Sequence, residues 1–139
     1  MKHLLCALTA LWVTSAIPAV AQTTFFYECD LTGTENTFGW ITPKLALVST
    51  EEGKVKVIDA VILGINEEPI DGTFLRNNTR RMIVKWRLKN APTKSGAGYR
   101  TFDYRASLNK TTLKVEVTAG NSNVEQLLRS EGTCRLRQN

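Results

Sequence analysis

Six carboxylates could carry acid–base chemistry if the fold brought two of them together: the adjacent pairs Glu51 with Glu52 and Glu67 with Glu68, together with Asp59 and Asp71. Hydrolysis of a glycosidic bond, for example, asks for two carboxyl groups roughly 5 to 9.5 Å apart, one of which holds its proton. Both glutamate pairs flank predicted turns, where neighbouring side chains point apart and stay wet. They therefore read as charged turn residues and not as an acid with its partner. The acidic residues also lack the D-x-[DN]-x-[DN]-G spacing of a calcium loop. No G-x-x-x-x-G-K-[ST], G-x-G-x-x-G or G-x-S-x-G pattern occurs, so nothing suggests a phosphate cradle or a nucleophile elbow.

The only histidine, His3, lies in a segment with another purpose. The chain opens with Met1 and Lys2, continues through an apolar run over residues 4–13, and reaches the small-residue exit Ala19-Val20-Ala21. This is the layout of a secretory signal peptide, with cleavage expected before Gln22. Thr9, Thr14, Ser15 and Pro18 interrupt the apolar run, which is shorter than the roughly 20 residues of a membrane-spanning helix. Loss of residues 1–21 removes His3 and Cys6, and with them any Ser-His-Asp, Cys-His or imidazole–zinc site. What remains is one domain, residues 22–139, of 118 residues. Its 17 Lys and Arg against 13 Asp and Glu leave a mild net charge of +4. No catalytic, metal or cofactor residues are expected, and the protein is expected outside the cytoplasm, in a periplasm or beyond the cell.

A basic stretch remains to be explained. Arg76, Arg80, Arg81, Lys85, Arg87, Lys89, Arg100 and Arg105 cluster within thirty residues, interleaved with Trp86, Tyr99 and Tyr104. In a cytoplasmic protein this would suggest single-stranded nucleic acid. An export signal argues against that partner. Residues 81–88 alternate, with Met82, Val84, Trp86 and Leu88 on one side of an extended chain and Arg81, Lys85 and Arg87 on the other. Residues 99–108 repeat the design, which sets Phe102, Tyr104, Ala106 and Leu108 opposite Arg105. The aromatics are thus expected in a core behind a solvated basic face, and Lys85, Arg87 and Arg105 form a candidate face for an anionic surface or protein partner.

Two cysteines survive cleavage, Cys29 and Cys134, and only one disulfide can be drawn between them. With no C-x-x-C motif, the bond reads as a structural staple between the first and last strands. The other elements follow from period-2 runs and turn residues. Strands are expected over 24–30, 44–50, 54–60, 70–76, 112–118 and 132–137, besides the two above, with extended chain over 61–66. Gly53 and the Asn77-Asn78-Thr79 and Asn109-Lys110-Thr111 segments mark turns. Residues 123–129 contain good helix formers after Asn123 and are expected to form a turn or two of helix.

Tyr27-Glu28-Cys29, Gly39-Trp40-Ile41 and Gly132-Thr133-Cys134 form a frame that resembles small exported bacterial proteins of uncharacterised function. The Tyr-x-Cys opening is also similar to that of the periplasmic C-type lysozyme inhibitors, small barrels that plug an enzyme cleft with a loop. The net-basic chain departs from that family in charge, since basic lysozymes call for an acidic partner. None of that family's inhibitory residues is carried over.

Successive hairpins with one apolar face must either close on themselves or stack on a second sheet. A staple joining first and last strands favours closure, so the expected fold is all-β, a small antiparallel up-and-down barrel of about eight strands, with a two-sheet sandwich as the alternative. The expected function is binding or interaction without catalysis. The alternatives are a barrel carrying a small apolar ligand, and an inhibitor acting through a loop over residues 31–39 or 90–98.

Overall fold

The computed structural model describes residues 23–50, 52–93, 95–121 and 124–138, with backbone alone for 124–126. The signal-peptide expectation for residues 1–21, Gln22 after it, Glu51 and Asn123 lie outside the described residues.

Eight antiparallel strands follow one another in chain order and close into a barrel: β1 (Thr24–Thr32), β2 (Lys44–Thr50), β3 (Val55–Asp59), β4 (Ile70–Asn77), β5 (Arg81–Pro92), β6 (Tyr99–Asn109), β7 (Lys114–Asn121) and β8 (Val124–Gln138). The up-and-down barrel read from the hairpin pattern is therefore the fold, and the sandwich is not. Inward positions alternate along the strands: Leu47, Val57, Leu88 and Leu108 are fully buried while their chain neighbours are partly or wholly exposed. Turn chemistry sets the hairpins. The Asn78 side chain accepts from the amides of Arg80 and Arg81, and the Asn109 side chain from those of Thr111 and Thr112. Gly53 takes a positive φ of 79°, as its place in a short turn requires.

Closure happens between β1 and β8. Cys29 and Cys134 face each other in register and are joined by a disulfide, both buried. Strand β8 pairs with β7 over its first half and with β1 over its second. This corrects the helical expectation for residues 123–129: from Val124 onward the chain is strand. A helix there would satisfy its own backbone and leave the end of β7 unpaired, whereas the strand satisfies both. The side chains agree with period 2, Leu127 being exposed and Leu128 packed against the core.

A second correction concerns residues 61–66, expected as extended chain. They belong to a short helix, α1 (Ala60–Asn66). Asp59 caps it by accepting from the Ile62 amide at 2.7 Å, and the Glu67 amide closes the other end on the Leu63 carbonyl at 3.0 Å. Ile62 is driven into the core, with Val61 and Ile65 packed against it. A short run of mixed apolar residues fits either period, and the cap decides. Smaller differences lie at strand ends: β5 runs on to Pro92, and Leu113 sits in a left-handed turn before β7.

The connections β1–β2, β3–β4 (which contains α1), β5–β6 and β7–β8 all lie at one end of the barrel. The β1–β2 connection folds over that end. Its Trp40 stacks on Phe102 with centroids 4.3 Å apart, and the Tyr104 hydroxyl donates to the Trp40 carbonyl at 2.9 Å.

Candidate functional site

The outer face of β5 and β6 carries the basic cluster. Alternation sends Arg81, Lys85, Arg87 and Lys89 outward on β5, and Tyr99, Thr101, Asp103 and Arg105 outward on β6. Trp86 and Tyr104 point inward as expected, buried and stacked on each other at 5.2 Å. The space bounded by Leu31, Ile41, Leu45, Asp59, Trp86 and Tyr104 is too small for a water molecule.

Register decides what the three predicted cations do. Arg87 lies opposite Asp103 and donates from Nε to its Oδ1 at 2.6 Å, which pushes the guanidinium still further above its usual range. Lys85 lies directly opposite Arg105, and neither has a carboxylate partner among the described residues. Several outward cations on other strands are neutralised by acids. Lys44 pairs with Asp30, Lys56 with Asp71 at 2.8 Å, Arg129 with Glu116 at 3.2 Å, and Arg137 with Glu28 at 3.1 Å. The structure thus brings together all three predicted residues, but it divides them into one clamped cation and one like-charged pair.

Strand β4 borders this face. It pairs with β5 only from Thr73, opposite Lys85, toward Asn77, so the two strands part above that point. A groove of about 600 Å³ opens there, lined by Asp71, Thr73, Lys85, Trp86, Arg87, Lys89, Asp103 and Tyr104. Its two carboxylates are already engaged, Asp71 by Lys56 and Asp103 by Arg87. The lining therefore presents Lys85 and Lys89 to whatever enters, and an anion suits it.

Among the carboxylates weighed for acid–base chemistry, Glu52 pairs with Lys54 at 3.6 Å, and Glu67 and Glu68 are exposed in the turn after α1. Asp59 is the exception. Only 8% exposed, it is raised above the usual aspartate value by burial, against the pull of the helix amides, and its charge joins burial in raising the Tyr104 phenol. No second carboxylate stands with it among the buried residues, and its geometry is that of a helix cap. An Asp immediately before an apolar run was the signal that could have located it.

That burial has a measurable consequence. Because the folded value lies above the unfolded one, the stabilising contribution of protonated Asp59 is fully present below the unfolded value of 3.8 and is lost as pH rises through the folded value. Asp59→Asn keeps the acceptor and removes the charge, so its stability difference from wild type is expected to grow over that window and then level off. Asp59→Ala loses the cap and is expected to cost about 1 kcal/mol. Urea midpoints measured from pH 3 to pH 8 on the three proteins check both statements. A flat Asn-minus-wild-type difference would show that Asp59 is solvated.

The chain matches no family model, no curated protein and no solved structure.

Proposed function

We propose that this chain is an exported binding protein without a catalytic role, and that it engages an anionic partner through Lys85 and Arg105 on the outer face of β5 and β6. The observation that carries the reading is their direct cross-strand opposition. Like charges facing each other on adjacent strands destabilise a sheet, whereas cations on β2, β3 and β8 of this barrel are paired with acids on β1, β4 and β7. A destabilising pair beside an open groove is accounted for if an anion completes it. The packed region around Trp86 and Tyr104 supports a surface site over an internal ligand. The disulfide fits an oxidising compartment, and among the described residues no helix is long and apolar enough to cross a membrane.

The test separates stability from binding. Lys85→Glu turns the like-charged pair into an opposite-charged one, so it is expected to raise stability by roughly 0.2 to 1 kcal/mol. The same substitution is expected to weaken retention on heparin, a soluble polyanion, and retention of the wild type should fall as salt shortens the Debye length to about 8 Å at 0.15 M. Arg87 is left untouched because its reversal would set two acids against each other. If Lys85→Glu left retention unchanged, the face would be solvated surface and the reading would fail.

A second reading, an inhibitor acting through the β1–β2 connection, has one observation in its favour. Phe38 is 64% exposed at a φ of 55°, a left-handed conformation costly for a side chain of its size, on a loop held by the buried Thr37 hydroxyl against Thr34 and Ile41. Partner binding that survives Lys85→Glu and disappears with Phe38→Gly would select it.

A further inference from the structure

Resting on the anion-binding reading, we infer that the partner of this face is an anionic lipid surface, on which the barrel docks through β5, β6 and the start of β8. Two exposed apolar side chains border the cations. Tyr99, 76% exposed, leads β6 in alternation with Thr101, Asp103 and Arg105. Leu127, 58% exposed, covers Gly120, its Cδ1 lying 3.4 Å from where a Cβ would stand, and Gly120 is the register partner of Asp103. Around them stand Lys85, Lys89 and Arg105, exposed and without a carboxylate partner among the described residues.

A soluble polyanion would use the cations and leave Tyr99 and Leu127 in water. A bilayer uses both, because an amphipathic ring or a leucine enters the headgroup boundary while lysines and arginines meet the anionic headgroups. The charge is one-sided enough to orient the molecule. Among the described side chains the one acid on this face, Asp103, is held by Arg87, and the exposed acids described at the same barrel end, Glu35, Glu67 and Glu68, sit on the turn after β1 and the turn after α1. Docking therefore presents the side of the barrel formed by β5 and β6.

The experiment is co-sedimentation of the purified, disulfide-intact protein with vesicles of phosphatidylcholine alone and of phosphatidylcholine with phosphatidylglycerol. Binding is expected to the second only. Lys85→Glu and Lys89→Glu should each weaken it by at least about fivefold, the value of a single cation near an anionic surface. Tyr99→Ser with Leu127→Ser should weaken it by roughly tenfold, while Leu136→Ser, at the opposite barrel end, should leave it unchanged. Circular dichroism establishes that each variant folds. If the apolar double variant bound as wild type, or if heparin but not vesicles were bound with dependence on Lys85, lipid docking would be overturned and the anion-binding face would stand. Binding to neither probe at low salt would overturn both.

Discussion

Replacing Cys29 and Cys134 together by alanine is expected to lower the free energy of unfolding by about 4 to 5 kcal/mol. The two are 105 residues apart in sequence, and in the chain-entropy account a bridge closing a loop near 100 residues removes about that much freedom from the unfolded state. For a domain of this size the shift in melting temperature is roughly 15 °C or more. The effect lies in the unfolded chain, because in the native state β1 and β8 are already paired on both sides of the bridge, from Phe25 with Gln138 to Thr32 with Glu131. Far-UV circular dichroism of the reduced protein should therefore be unchanged at low temperature while its urea midpoint falls. A loss well under 1 kcal/mol would mean that the unfolded chain keeps its ends together without the bond. Two free thiols in protein recovered from its export compartment would remove the staple altogether.

The same seam carries the second large effect. A Cβ on Gly132 would stand 1.9 Å from the carbonyl oxygen of Asp30, 2.8 Å from its carbon and 2.9 Å from Leu31 Cα. All three are backbone atoms, so no rotamer change relieves the clash, and the strands must separate. They are held two residues further on by the disulfide. Gly132→Ala is expected to destabilise by roughly 3 to 5 kcal/mol, the range reserved for substitutions that the surroundings cannot absorb. Gly98→Ala serves as the control: no heavy atom lies within 4 Å of its added Cβ, and its backbone is not left-handed, so the change should stay within about 0.5 kcal/mol. Gly72→Ala should fall between them. Its Cβ would come within 2.7 Å of Val84 Cγ1, a side-chain atom with some freedom to move. Urea midpoints of the three variants place them in order. Equal midpoints for Gly132→Ala and Gly98→Ala would contradict the close approach of β1 and β8 on which closure depends.

Much of this barrel could be read along the chain because strands announce themselves locally. The alternation of Met82, Val84, Trp86 and Leu88 with Arg81, Lys85 and Arg87 assigns faces without reference to any other strand, and so does that of Phe102 and Tyr104 with Asp103 and Arg105. The Asn78 and Asn109 turns were equally local, each side chain bonding amides two and three residues ahead. The two misread segments fail for the opposite reason. Residues 61–66 could satisfy either period, and the cap at Asp59 tipped them to helix. Residues 124–129 had helical propensity, and the open edge of β7 outweighed it.

The candidate site divides along the same line. Which side chains face outward, which chemistry is missing after residue 21, and which two cysteines can bond all follow from residue type and spacing, properties of the chain itself. That Lys85 meets Arg105 while Arg87 meets Asp103 depends on the register between two strands joined by a long connection, and a slip of one residue would turn every one of these side chains to the other face. The groove depends on where β4 leaves β5, and the seam at Gly132 on β1 and β8, the strands farthest apart in the chain. Period and composition act over a few residues and can be read in order. Register, closure and the pairing of charges are settled by the burial of the whole apolar face at once, and only the folded barrel contains them.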